Sequence, residues 1–347
     1  MLNLPNEGEI IVCSEFVHET VLRQETVESL IPSNALLASL SQSPLVWVDC
    51  TLGGAGHTTA YLECLRTKGF EGRIKIVGID RDPHALSVAR ERLQALTQGF
   101  SNIEIALIAA PFSEGVAQLP NASVHALCAD FGVSSPQIDL PERGFSLRHD
   151  GPLDMRMNPS QGRTARDIVE NATEIELTRI FQTYGEEPRA RKLAQAIITD
   201  RQKGKLPPNS TLAFAQYCER ILAYRGSRTP PATRIFQALR IAVNDELGEI
   251  ERLLAHVPRI ITAFGKASFI SFHSLEDRLV KTTLRTWERA GIVDDQAPIF
   301  PHMTPPTWGK ETPRGGVVAA PEELLRNTRS HSARLRTFCF NEQIRSQ

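Results

Sequence analysis

Three aspartates close apolar runs early in the chain: Asp49 after Leu45–Val48, Asp80 after Ile74–Ile79 and Asp130 after Val124–Ala129. The first leads straight into Cys50-Thr-Leu-Gly53-Gly54-Ala55-Gly56-His57. A Gly-rich turn between a strand and a helix lets the backbone approach a ligand and aims amide N–H groups at it. Such turns also serve plain chain reversal, so Asp80 is what gives this one meaning. An acid at the end of the second strand can accept both hydroxyls of a ribose, and the pairing points to a nucleoside-bearing cofactor.

Two cofactors compete for that crevice. NAD normally rests its pyrophosphate on G-x-G-x-x-G, whereas this chain has G-G-x-G followed by Thr58. S-adenosyl-L-methionine has no phosphate but carries a charged amino acid tail, which Asp49 and the loop amides suit. Ala110-Pro111-Phe112 follows the third apolar run and is placed to flank an adenine, and Asp130 faces the same crevice. The reading favours S-adenosyl-L-methionine, with no metal.

The stretch from Asp130 to Met157 is too polar and too rich in Gly and Pro for a helix or core strand. At the carboxyl end of a parallel strand it lies where ligands bind in open α/β sheets. Methyl transfer to an exocyclic amine needs acceptors that hold the nitrogen in line with the sulfonium, and positioning supplies much of the rate. Asp130, Ser134, Ser135 and Pro136 are the candidates for that role. Phe145 could stack on an extruded base or pack under the loop.

The elements that must position these residues follow from the pattern. Near-continuous apolar strands alternate with helical stretches at Leu45–Val48, Ile74–Ile79, Ile103–Ile108, Val124–Ala129 and Ala267–Phe272, which predicts an α/β fold with a Rossmann-like parallel sheet. Asp82-Pro83 reads as a helix start, and Ser274-Leu-Glu-Asp277 as a capping box. The long gap between strands four and five must hold its own elements. Helices are expected after Thr173, over Arg189–Arg201 and over Thr211–Tyr224, and Arg334–Phe340 is expected to be a final strand. The division expected is residues 1–139 as the first part of the sheet domain, 140–235 as a helical insert, and 236–347 as its second part with a basic C-terminal tail. Residues 291–321, rich in Pro and Gly, are expected to form an extended loop.

Composition narrows the setting. At 347 residues the chain is long enough for about two domains of ~150 residues each. No apolar run approaches the ~20 residues of a membrane span, and the acidic start does not resemble a targeting signal. Six cysteines without Cys-x-x-Cys spacing suit a reduced, cytoplasmic setting. Net charge is −1, yet residues 189–240 hold eleven Lys or Arg against Asp200 and Glu219, the footprint a polyanion would need.

Taken in order, the motifs resemble one family over nearly the whole chain, the bacterial ribosomal RNA small subunit methyltransferase H (MraW) family of 16S rRNA cytosine-N4 methyltransferases. The resemblance rests on His18-x-x-Val21-Leu22, GGAGHT at 53–58, IDRDP at 79–83, GVSSPQ at 132–137 and RGFS at 143–146. It continues through DGPLDMRM at 150–157, YGEE at 184–187, PATRIFQALRIAVNDEL at 231–247, SFHSLEDR at 271–278 and RNTRSHSARLR at 326–336. It implies a class I methyltransferase sheet with a helical RNA-recognition insert. It implies cofactor contacts at Ala55, Gly56, His57, Asp80, Phe112, Asp130 and Gln137. The substrate it implies is a cytidine in the decoding region of 16S rRNA, within the small ribosomal subunit. Thr20 and Phe264-Gly265-Lys266 depart from the family pattern. The oligomeric state is not legible.

Overall fold

A computed structural model describes residues 20–40, 43–223, 230–289 and 307–345. His18 of the first motif, Arg225 and Arg228 of the basic block, and most of the expected loop after residue 290 lie outside these.

The apolar runs form strands β1 (Leu45–Asp49), β2 (Ile74–Asp80), β3 (Ile103–Ala109), β4 (Val124–Asp130) and β5 (Ile261–Ser271). Three more follow, β6 (Gly309–Glu311), β7 (Val317–Val318) and β8 (Arg334–Phe340). They build one sheet in the order β3-β2-β1-β4-β5-β8-β6, with β7 also on β8. The pairs among β1 to β5 are parallel, and β8 runs antiparallel to β5. Alternation along each strand feeds two cores. Val48, Val77, Leu127, Phe269 and Phe338 share one cluster with Leu253 and Trp287. Trp47, Ile76 and Ala126 share the other with Leu30, Tyr61 and Leu65. This is the α/β Rossmann-like sheet expected, with helices on both faces.

Strand β5 begins six residues earlier than the apolar pattern suggests. Its pairing with β4 jumps from Val124↔Ile261 to Ala126↔Lys266, so extra residues bulge out of β5. The bulge holds Phe264, exposed and at φ 61°, beside Gly265. A pattern search loses the strand there because the bulge breaks its period.

Between β4 and β5, helices at Ala165–Asn171, Glu174–Thr183, Ala190–Gln202, Thr211–Leu222 and Pro231–Asn244 close a separate core. Leu177, Phe181, Leu193, Phe214 and Ile235 are fully enclosed in it. Thr173 caps its helix by accepting from the Glu176 amide, as expected. The limit expected at 235 falls inside the Pro231–Asn244 helix, whose Ile235–Leu239 turn packs in this second core.

At the basic C-terminal end, Arg334–Phe340 forms β8, the final strand expected. Arg336 lies on β8, 4% exposed, between the carboxylates of Asp277 and Glu311.

Candidate functional site

All three early aspartates sit at carboxyl ends of adjacent strands, as β2, β1 and β4 are neighbours. Asp49 is buried; Thr58 Oγ1 donates to its Oδ2 at 2.7 Å and the Thr51 amide to its Oδ1 at 3.2 Å. Trp47 Nε1 donates to Thr58 Oγ1 at 3.0 Å, which fixes that hydroxyl from below. Burial drives the Asp49 pKa up to about 6, with the two hydrogen bonds pulling the other way. Asp80 Oδ2 accepts the Gly53 amide at 2.8 Å and Oδ1 the Asp82 amide at 2.9 Å. It therefore pins the glycine turn to β2, and each oxygen keeps a lone pair for a further donor.

The helix Gly56–Thr67 starts from Ala55 at φ 61°. A Cβ on Gly56 would stand 2.0 Å from Thr20 Oγ1, so glycine is required by the chain segment pressed against the turn. His57 points into the protein, with Nε2 3.1 Å from the Val21 carbonyl oxygen and Nδ1 4.0 Å from Asp130 Oδ2. Its side chain is 4% exposed, which leaves the backbone of residues 55–57 as the part that can meet a ligand.

Asp130 is the least satisfied group of the site. Its amide donates to Thr51 Oγ1 at 2.7 Å, but its Oδ1 is sealed from solvent with no hydrogen-bond partner. Burial, then Asp49 and Glu276, push its pKa well above the usual carboxylate range. An orphaned buried acceptor costs about 1–3 kcal/mol, and such a cost persists at sites that a ligand completes.

The loop after β4 is held more tightly than its composition suggests. Ser134 precedes a short helix, Ser135–Asp139, in which Gln137 Oε1 accepts the Ser134 amide at 3.0 Å. Gln137 Nε2 donates to Asp82 Oδ2 at 3.1 Å, and Arg143 Nη1 reaches the same oxygen at 2.9 Å. Gln137 is thus a buried brace between the loop and the turn that follows β2. Pro136 is exposed, while the Ser135 side chain lies outside the described residues. Phe145 is half-buried against the insert core. Asp154 and Arg156 pair at 2.7 Å within the loop. Phe112 opens the helix Phe112–Ala117, half-buried with its ring 6.0 Å from Phe131.

A buried cluster beside Asp130 extends the helix cap expected at Ser274–Asp277 to Arg240 and Glu246. Glu276, fully buried, accepts the Phe272 and His273 amides, and His273 Nδ1 accepts the Glu276 amide. The capping box expected at Ser274 is thus made one residue earlier, by His273 and Glu276. His273 Nε2 stands 3.1 Å from Glu276 Oε1, off the line of a hydrogen bond, and both atoms are sealed. Arg240 forks onto Glu246 with two bonds of 2.9 Å. Burial pushes the Glu276 pKa up, but His273, Arg240 and the Phe272 amide outweigh it and hold the group below the ordinary range. Glu246, His273 and Glu276 bring ligand-type atoms within 4.8 Å of one another, and the cation beside them is the Arg240 guanidinium. The acid in SLED looks like an ordinary first-turn residue; its burial depends on contacts with a helix thirty residues away.

The basic block disperses on folding. Arg201 donates to the Val169 and Ala172 carbonyls, Arg234 lies 3.5 Å from buried Glu187, and Arg240 is committed to Glu246. Arg189, Arg191, Lys192, Lys203, Lys205 and Arg220 remain on the surface. Among the described residues no helix is long and apolar enough to cross a membrane.

Comparison with known proteins agrees with this geometry. The MraW methylase family matches residues 15–341. Ribosomal RNA small subunit methyltransferase H of Rhodospirillum centenum is 40% identical over 328 residues, covering 92% of this chain and 91% of that one. The protein of the same name from Halorhodospira halophila is 41% identical over 308 residues, covering 87% and 90%. The glycine turn, the strand-end acids and these matches describe an S-adenosylmethionine-dependent methyltransferase, and the chain belongs to the MraW methylase family.

Proposed function

We propose that this enzyme methylates the N4 amine of a cytidine in the decoding region of 16S rRNA, acting in the cytoplasm on RNA within the small ribosomal subunit. The relatives' names support an rRNA substrate. The observation that carries the chemistry is the orphaned, buried Oδ1 of Asp130 at the end of β4. Bound S-adenosylmethionine supplies a methyl group on an electrophilic sulfonium.

The chain's own residues bind and orient. Asp80 takes the ribose hydroxyls with its remaining lone pairs, and Phe112 flanks the adenine. Asp49 and the amides of Ala55, Gly56 and His57 meet the amino acid tail. Asp130 accepts a hydrogen bond from the exocyclic amine, which localises density on nitrogen and holds it in line. Ser134, Ser135 and Pro136 form the rim on the base side. Gln137 and Phe145 act as positioning residues, one bracing the loop on Asp82 and the other seating it on the insert core.

Incubation with labelled S-adenosylmethionine and small subunits from cells lacking the modification should yield N4-methylcytidine on nuclease digestion. Label in another base, or none, would overturn the reading.

A further inference from the structure

On the same edge of the sheet as Asp130, two strands away, β5 and β8 frame a polar cleft of about 390 Å³. The strand order sets the separation: Asp130 pairs with Ile270, and the next residue, Ser271, pairs with Arg334. Adjacent strands lie about 4.8 Å apart, which puts the cleft roughly 10 Å across the sheet edge from Asp130.

The floor of the cleft is ion-paired, with more carboxylates than cations. Arg336 is locked between Asp277 and Glu311, and Glu288 accepts the Glu311 amide at 3.1 Å. Its rim is cationic. Lys281 and Arg285 are one helical turn apart on the helix Ser274–Arg289, so they share a face. Arg314 is held opposite by a turn whose Gly315 and Gly316 sit at φ 89° and 76°. A Cβ on Gly316 would stand 2.4 Å from the Leu335 carbonyl oxygen, so the turn is pressed onto β8. Arg334 donates to the Gly315 carbonyl at 2.7 Å and so belongs to the frame. Lys281, Arg285 and Arg314 are exposed and line the cleft, with Lys281 also within electrostatic reach of Asp277.

We propose that Lys281, Arg285 and Arg314 bind backbone phosphates of the RNA strand whose target base enters at Asp130. This deepens the rRNA reading and rests on it. A framed cleft with an exposed cationic rim suits a polyanion, and its place beside the site gives the strand a register. Across the whole lining five Lys or Arg outnumber Asp277, Glu288 and Glu311, so the cleft stays net positive. The cleft is therefore a phosphate seat built on an ion-paired floor, separate from the dispersed cations of the insert.

The test compares wild type with K281Q/R285Q/R314Q, and with K68Q/K75Q/R90Q as a control of equal charge change outside the cleft. The probe is a labelled single-stranded RNA of the unmodified target region, titrated across a range of salt. Three lost phosphate contacts should lower the slope of log K against log salt by about 2, a weakening of about a hundredfold at 0.1 M relative to 1 M salt. Retained S-adenosylmethionine affinity shows that the variant is folded. Equal slopes in wild type and cleft variant, or an equal drop in the control, would overturn the proposal, as would tight binding of polyglutamate that RNA cannot displace. If wild type fails to methylate small subunits, the functional reading falls on that result alone, while the slopes still decide the cleft.

Discussion

His57 and Asp130 face each other across the cofactor turn, with Nδ1 4.0 Å from Oδ2, while Nε2 holds the Val21 carbonyl at 3.1 Å. A carbonyl oxygen only accepts, so Nε2 carries a proton and the ring is oriented by the backbone that it ties down. The histidine therefore fixes one wall of the pocket in which Asp130 is stranded. Replacing Asp130 by Ala removes the unpaired Oδ1. Methyl transfer should fall at least about a hundredfold, as a charge-assisted bond worth ~1.5–3 kcal/mol is lost along with alignment. The melting temperature should hold or rise. Near-normal turnover in a rate assay would remove the residue from the chemistry.

Asp49 links cofactor binding to pH. It ionises near 3.8 in the unfolded chain and near about 6 in the native one. Between those values the native state binds more protons than the unfolded state, so stability is greatest below the lower value and declines as pH rises through the upper one. Against Asp49→Asn, wild type should lose on the order of 3 kcal/mol across that window in urea melts. A cationic cofactor reverses the penalty, so calorimetry should show S-adenosylmethionine binding weakening as pH falls below about 6. A flat profile between pH 5 and 8 would count against Asp49 as the ligand of the tail.

Gly56 should not tolerate a methyl group. Its Cβ would meet Thr20 Oγ1 at 2.0 Å, and an overpacked site of this kind costs about 1–3 kcal/mol. Gly56→Ala should bind cofactor more weakly and melt earlier, and adding Thr20→Gly should recover part of both. If the second change restores nothing, the close approach of residue 20 is not what dictates glycine.

Arg240→Met leaves Glu246 and Glu276 buried without their shared cation. Breaking a buried pair in this way typically costs ~3–5 kcal/mol. The double change Arg240→Met with Glu246→Leu should regain much of the loss, since an apolar pair can replace a buried ionic one. Equal denaturation midpoints for wild type and Arg240→Met would show that the cluster does not depend on its arginine.

Local patterning made the sheet readable. Strands β1, β2 and β4 follow from near-continuous apolar runs because most of their residues are buried, and β3 follows from its apolar run although it forms the sheet edge. Asp49, Asp80 and Asp130 were legible for the same reason, since strand ends fall where those runs stop. What stayed hidden depends on contacts distant in sequence. Glu276 and Arg240 meet only after the insert folds back, and Arg336 looks like a phosphate ligand until Asp277 and Glu311 close on it. Gln137 came from family resemblance alone; its inward bond to Asp82 leaves no mark on the composition of the loop. Phe264 hid the start of β5 because a bulge has no period to detect.

One buried bond joins the two ends of the chain: the Leu22 amide donates to Glu323 Oε1 at 2.9 Å, across 301 positions. Leu22 is flanked by Val21, which holds His57, and Thr20, which dictates Gly56, so the cofactor turn leans on a segment that the C-terminal region secures. During synthesis, every residue of that turn leaves the ribosome long before Glu323 and β8 exist. A nascent or truncated chain can collapse around β1 to β4 without a finished cofactor seat. Truncation before Glu323 thus removes a bond that secures the segment carrying Thr20 and Val21 against the cofactor turn.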